Sequence, residues 1–190
     1  MKKIVLTFGL IAGAILSAMM LLVTIPFHDA LGYDGGLIVG YTSMVLAFLP
    51  VYFGVRSYRD NVAGGTVRFG RAFAVGSLIA GIASLCYVAT WELVYFNGLT
   101  PDFSAKYQAQ ALERARAGGA SEEALAKQKA EQEQFWRRYD TNLAFNAALT
   151  LLEPLPVALV MALVSAGVLS RRTNRVAGDA RVVTRAPAST

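Results

Sequence analysis

Four stretches of this 190-residue chain are apolar over lengths that a soluble core does not require, and they dictate what it can fold into. A helix rises about 1.5 Å per residue, so crossing roughly 30 Å of hydrocarbon takes about 20 apolar residues. Residues 4–25 carry no charge, 36–55 run until Arg56, 72–96 begin after Arg71, and 144–170 end at Arg171 and Arg172. Inside lipid a segment must satisfy its own backbone polar groups, so each block is predicted to be a helix. The fold class is therefore all-α: a four-transmembrane-helix bundle. Only 16% of residues are charged, against about a quarter in an ordinary soluble protein. The first block follows Met1-Lys2-Lys3 as a signal peptide would. It is longer than the roughly 7–15-residue apolar core of a signal, and Leu16, two residues before Ala18, is too large for a cleavage site. An uncleaved span is expected.

The net charge of +5 invites a nucleic-acid reading, but the basic residues sit at the ends of the apolar blocks, where they report topology. No nucleic-acid partner is expected. The amino terminus, the 56–71 loop and the chain after 170 hold eleven Lys and Arg against Asp60 and Asp179. The 26–35 turn holds Asp29 and Asp34 and no base, and the 97–142 segment is balanced at seven of each sign. The positive-inside rule then puts both termini in the cytoplasm, with the turn and the long segment outside. Trp91, Tyr95 and Phe96 fall where an aromatic belt is expected. Residues 173–190 are expected to be a disordered basic cytoplasmic tail following a membrane domain at 1–172.

The outer segment reads as a helical hairpin over 100–142. Thr100, Pro101 and Asp102 make a helix start, Gly118-Gly119 a break, and Ser121 with Glu122 and Glu123 a second start. Nothing from Glu122 to Leu152 reads as a breaker, so the second arm is expected to continue into the fourth span, bending first at Pro154.

Two carboxylates lie in the spans. Glu92 is 21 residues past Arg71 and Glu153 is 18 residues before Arg171, so both fall near the outer edge of the hydrocarbon. At 100° per residue, Asn142, Asn146, Thr150 and Glu153 share one stripe, and Glu92 aligns with Leu85 and Gly81. Polar groups in lipid turn toward the bundle interior. The expectation is a polar cleft open to the outside, bordered by His28 and Asp29, in which Glu153 meets Glu92, Trp91 or His28. Pro154 and Pro156 each remove a helical hydrogen bond and should kink the fourth span beside Glu153.

Small residues recur every four positions in each span: Gly9, Gly13 and Ser17; Gly36 and Gly40; Ala72, Gly76 and Ala80; Ala158, Ala162 and Ala166. That spacing lets helix backbones approach, within a compact bundle or between two copies. The lone Cys86 excludes an intrachain disulfide, and no spacing of His, Asp or Glu suggests a metal site. No catalytic motif is recognisable, and no cofactor is expected.

The stretch from Gly54 to Glu92, with its Tyr58-Arg59-Asp60, Gly65 and Phe69, followed by Glu153-Pro154-Leu155-Pro156, resembles a family of small four-span bacterial membrane proteins classed as a domain of unknown function. The resemblance covers roughly residues 5–172. It implies the four-span plan and a bacterial inner membrane, and it brings no activity. Tyr58, Arg59 and Asp60 stand as cytoplasmic-loop candidates for a ligand, although the surrounding arginines also serve as membrane anchors. The expected function is non-enzymatic binding of a ligand, a lipid or a partner. Membrane lipids are one expected partner class. A second copy or another membrane protein, met through small-residue faces or the hairpin, is the other. The alternative is a small proton-coupled transporter component using Glu92 and Glu153.

Overall fold

The structure, a computed structural model, describes residues 1–24 and 28–183, with side chains over 1–23 and 35–170. Among the described residues there are eight helices and no strand. They are α1 (Lys2–Thr24), α2 (His28–Ala47), α3 (Leu49–Asn61), α4 (Phe69–Phe96), α5 (Phe103–Ala117), α6 (Glu122–Thr141), α7 (Leu143–Leu152) and α8 (Leu155–Val183). Among the described residues, four runs are long and apolar enough to cross a membrane: Lys2–Val23, Gly35–Asn61, Phe69–Phe96 and Leu143–Ser170.

Two of the four spans are broken, each at a proline. Pro50 has no N–H to donate, so the second span stops at Ala47 and restarts at Leu49. Val51 N–H then bonds the Phe48 carbonyl three residues back. The continuous apolar run 36–55 gave no warning of this joint. The fourth span is divided at Glu153 and Pro154, between α7 and α8, as the paired prolines suggested.

Central to the bundle, α4 packs against α1, α3, α7 and α8. Its inner face, with Val75, Ile79, Ala83, Tyr87 and Trp91, is buried, while Leu78, Leu85 and Leu93 are exposed as a lipid-facing side chain would be. The small residues explain the close fit. A Cβ on Gly13 would stand 2.7 Å from Cys86 Cβ, and one on Gly9 2.8 Å from Ile82 Cβ. Gly76 meets Ala162 at 3.3 Å by the same measure. Three of the four small-residue stripes are thus used inside the chain. At the fourth, a Cβ on Gly36 or Gly40 would meet nothing within 4 Å among the described residues. Polar contacts add to the α1–α4 seam, where Thr90 Oγ1 donates to Ser17 Oγ across 2.9 Å.

The structure departs from the sequence reading at four further places. The helix expected at Thr100 starts at Phe103, because Asp102 takes a left-handed conformation (φ 62°) and does not cap with its side chain. The arm expected to run unbroken from Glu122 stops at Thr141. Asn142 is extended (φ −118°, ψ 98°), and its Oδ1 accepts from Phe145 N–H to cap α7. Tyr58, Arg59 and Asp60 lie in the last turns of α3 rather than in a loop. The last helix continues past 172 to Val183.

The connection after α3 closes on itself. Gly65, at φ 86°, donates its N–H to the Arg59 carbonyl, a turn that a side chain at this φ would strain. The Arg59 side chain is buried, and its Nε donates to Asp60 Oδ1 at 2.6 Å, while Arg56 reaches the other carboxylate oxygen at 3.6 Å. This cluster ties the end of the second span to its connection.

Candidate functional site

A cavity of about 560 Å³ opens between α1, α2, α4 and α7, beneath α5 and α6. Its lower wall is aliphatic: Leu16, Met19 and Met20 from α1 face Leu37 and Met44 from α2. Gly36 and Gly40 form part of the α2 wall, and because they carry no Cβ the space beside that helix is left open. The same four-residue spacing that brings α1 against α4 here leaves a vacancy.

The upper wall is aromatic. Trp91 of α4, Phe103 and Tyr107 of α5, and Trp136 and Tyr139 of α6 all line it. The rings interlock across the helices. Trp91 of α4 and Phe103 of α5 meet edge to face at 4.9 Å between centroids, Phe103 and Trp136 of α6 at 6.2 Å, and, beside the cavity, Tyr95 of α4 and Tyr139 of α6 at 5.3 Å. Ring pairs of this kind add about 0.5–1.5 kcal/mol each beyond the area they bury. They are the means by which α5 and α6 hold to the end of α4. Outside the cavity the Tyr95 hydroxyl donates to Asp140 Oδ1, a second tie between α4 and α6.

Four hydrogen bonds support the cavity wall. Tyr87 OH donates to Glu153 Oε2 at 2.8 Å. Trp91 Nε1 donates to Tyr139 OH at 2.9 Å. Thr150 Oγ1 donates to Asn146 Oδ1 at 3.2 Å, and Asn146 Nδ2 donates to the Tyr139 carbonyl at 3.3 Å. Burial pushes the Tyr139 phenol up to about 12, so it remains a neutral hydroxyl near pH 7. Together these bonds fix the α4, α6 and α7 walls relative to one another.

The sequence-derived candidates divide across the structure. Glu153 and Thr150 line the cavity. Asn146 lies behind Thr150, fully buried, as a support. Asn142 is exposed and drawn out of the stripe, because the α6–α7 joint turns it into a cap. Pro154 is buried at the kink and Pro156 follows it on the exposed side of α8. Glu92 does not line the cavity. Its helical face includes the exposed Gly81 and Leu85, so alignment with a small residue did not mean alignment with the interior. Both Glu92 carboxylate oxygens are covered and have no hydrogen-bond partner among the described residues. His28 begins α2, and its side chain lies outside the described residues. Tyr58, Arg59 and Asp60 form the cluster at the far end of the second span, away from the cavity.

Glu153 meets a polar group of the third span, but the group is Tyr87 rather than Glu92 or Trp91. Sequence reasoning passed over Tyr87 and the α5 aromatics Phe103 and Tyr107, and it did not place Trp136 and Tyr139 of α6 at the site. The available signal was the line Tyr87, Trp91, Val94 at helical spacing on the buried side of α4. Among the described residues, no three His, Cys, Asp or Glu side chains come together as a metal site would require.

A family described as "Protein of unknown function (DUF4199)" matches residues 7–171. No curated protein and no solved structure matches the chain significantly.

Proposed function

The chain belongs to the DUF4199 family, and from that membership and the cavity geometry we propose that this integral membrane protein is a non-enzymatic binder of an amphiphile. One observation carries the reading. The cavity is walled by aliphatic and aromatic side chains and offers one carboxylate, Glu153, with a hydroxyl bonded to it. Small-molecule sites have this character: a mostly apolar concavity with a few fixed polar groups. Leu37, Tyr41 and Leu152 line the cavity and are also exposed, which gives it a mouth between α2 and α7. At that level of the second and fourth spans a mouth opens sideways, toward acyl chains. An amphiphile reaches it from the bilayer without first passing into water.

The charge distribution supports an orientation with both termini in the cytoplasm, and the resemblance to four-span bacterial proteins implies the inner membrane. The cavity and its α5–α6 cover then face the outer side. Mass spectrometry of the protein extracted with its surrounding lipids tests the proposal. A retained amphiphile at one per chain, displaced by Gly40→Phe, is the expected result. Equal lipid content in wild type and variant would oppose it.

A second reading, proton coupling through Glu92 and Glu153, draws support from the covered and unpartnered carboxylate of Glu92. A polar group so placed in lipid is costly to keep without a task. Proton uptake by reconstituted vesicles, abolished by Glu92→Gln, would favour this reading over simple binding.

A further inference from the structure

We propose that the ligand of this cavity is an organic cation, with an amine or ammonium head and an apolar body. The proposal rests on the amphiphile reading above and specifies its charge. Three observations converge on it. First, among the described residues that line the cavity Glu153 is the sole carboxylate, and none of them is a Lys, Arg or His. Second, Glu153 is exposed and, among the described residues, accepts a hydrogen bond from Tyr87 and has no ion pair. Arg138, the basic residue closest in the chain to Tyr139, is directed instead over the Phe145 ring at 4.4 Å. The carboxylate therefore retains acceptor capacity that the protein does not use. Third, the cavity that holds it is also walled by rings: Tyr87, which bonds it, and Trp91, Tyr107, Trp136 and Tyr139. Aromatic faces are negative and attract cations, most strongly where water is excluded.

The alternatives fit less well. An anionic head would meet a carboxylate and the negative faces of the rings, both repulsive. A neutral amphiphile would fill the apolar volume and gain little from Glu153. A cation gains from the carboxylate and the rings together, and its apolar body has the methionine- and leucine-lined wall of α1 and α2 to occupy. Methionine side chains adapt to varied shapes, which suits a body of loosely specified form.

The experiment uses the full-length protein in uncharged maltoside micelles. Its only two tryptophans, Trp91 and Trp136, both line the cavity, so intrinsic fluorescence reports occupancy directly. Decyltrimethylammonium, decanol and decyl sulfate share a chain and differ in head charge. The expected result is a saturable change with decyltrimethylammonium, at least about tenfold tighter than decanol, and none with decyl sulfate. Glu153→Gln should weaken the cation by about tenfold and leave decanol unchanged, while Gly40→Phe should remove saturable binding of both. Equal affinity for decanol and the cation, unaltered by Glu153→Gln, would overturn the cation inference and leave amphiphile binding standing. Tighter binding of decyl sulfate would overturn it too. No saturable response to any of the three would overturn both readings. Unchanged gel-filtration profiles for the two variants establish that a lost response is not a lost fold.

Discussion

The Tyr87 hydroxyl and the Glu153 carboxylate meet across 2.8 Å, joining the middle of α4 to the corner where α7 gives way to α8. Pro154 is what makes the corner. With no N–H to extend α7, the chain turns at Glu153, and the carboxylate is set beside the third span. The paired prolines thus position the one acid among the described residues of the cavity wall. Tyr87→Phe should cost roughly 0.5–2 kcal/mol of unfolding stability in detergent. A double-mutant cycle with Glu153→Gln should show the two changes to be coupled; strictly additive effects would mean that the bond contributes nothing.

Asn142→Ala removes the side-chain cap of α7 and should lower stability by about 1 kcal/mol. Asn142→Asp, which keeps an acceptor at a helix N-terminus, should be tolerated. Thermal unfolding of the two variants against wild type separates the cap from any general effect of altering the joint.

Glycines at the same spacing should respond in opposite ways. Gly13→Leu forces a side chain into Cys86 and should destabilise the bundle by at least about 1–3 kcal/mol. Gly40→Ala meets open space, and by helix propensity alone should be neutral or stabilising by up to about 1 kcal/mol. Equal losses at both positions would mean that α2 is packed where the cavity is drawn.

Orientation is testable without any ligand. In a Cys86→Ala background, a cysteine at Ala120 should react with an impermeant maleimide in intact cells, and one at Ser189 should not. Reaction at Ser189 would reverse the topology inferred from the basic residues.

Span number and helical class were legible because both follow from length and hydropathy, which survive in one dimension. The joints were not. Asn142 in a run of helix formers reads as a tolerated interior polar residue, and the same side chain is equally fitted to cap the next helix. Which applies depends on how α6 and α7 must diverge. Pro50 was hidden by its apolar neighbours. At the site, Glu153 and Thr150 could be selected from periodicity, yet their partner Tyr87 could not, because facing on α4 is fixed by α1 and α7 together. Gly36 and Gly40 are the clearest instance: spacing announces a smooth helix face, and only the neighbouring helices decide whether it is filled or left empty.

Photolabelling measures occupancy of the cavity most directly. A decyl-chain trimethylammonium probe carrying a diazirine near its tail would be activated on the wild-type protein in a bilayer, and the adducts mapped by peptide mass spectrometry. Adducts concentrated on Met19, Met20, Leu37 and Met44, and lost in Gly40→Phe, are the predicted result. Adducts spread evenly over the outward residues Leu78, Leu85 and Val160, and unchanged in the variant, would contradict it.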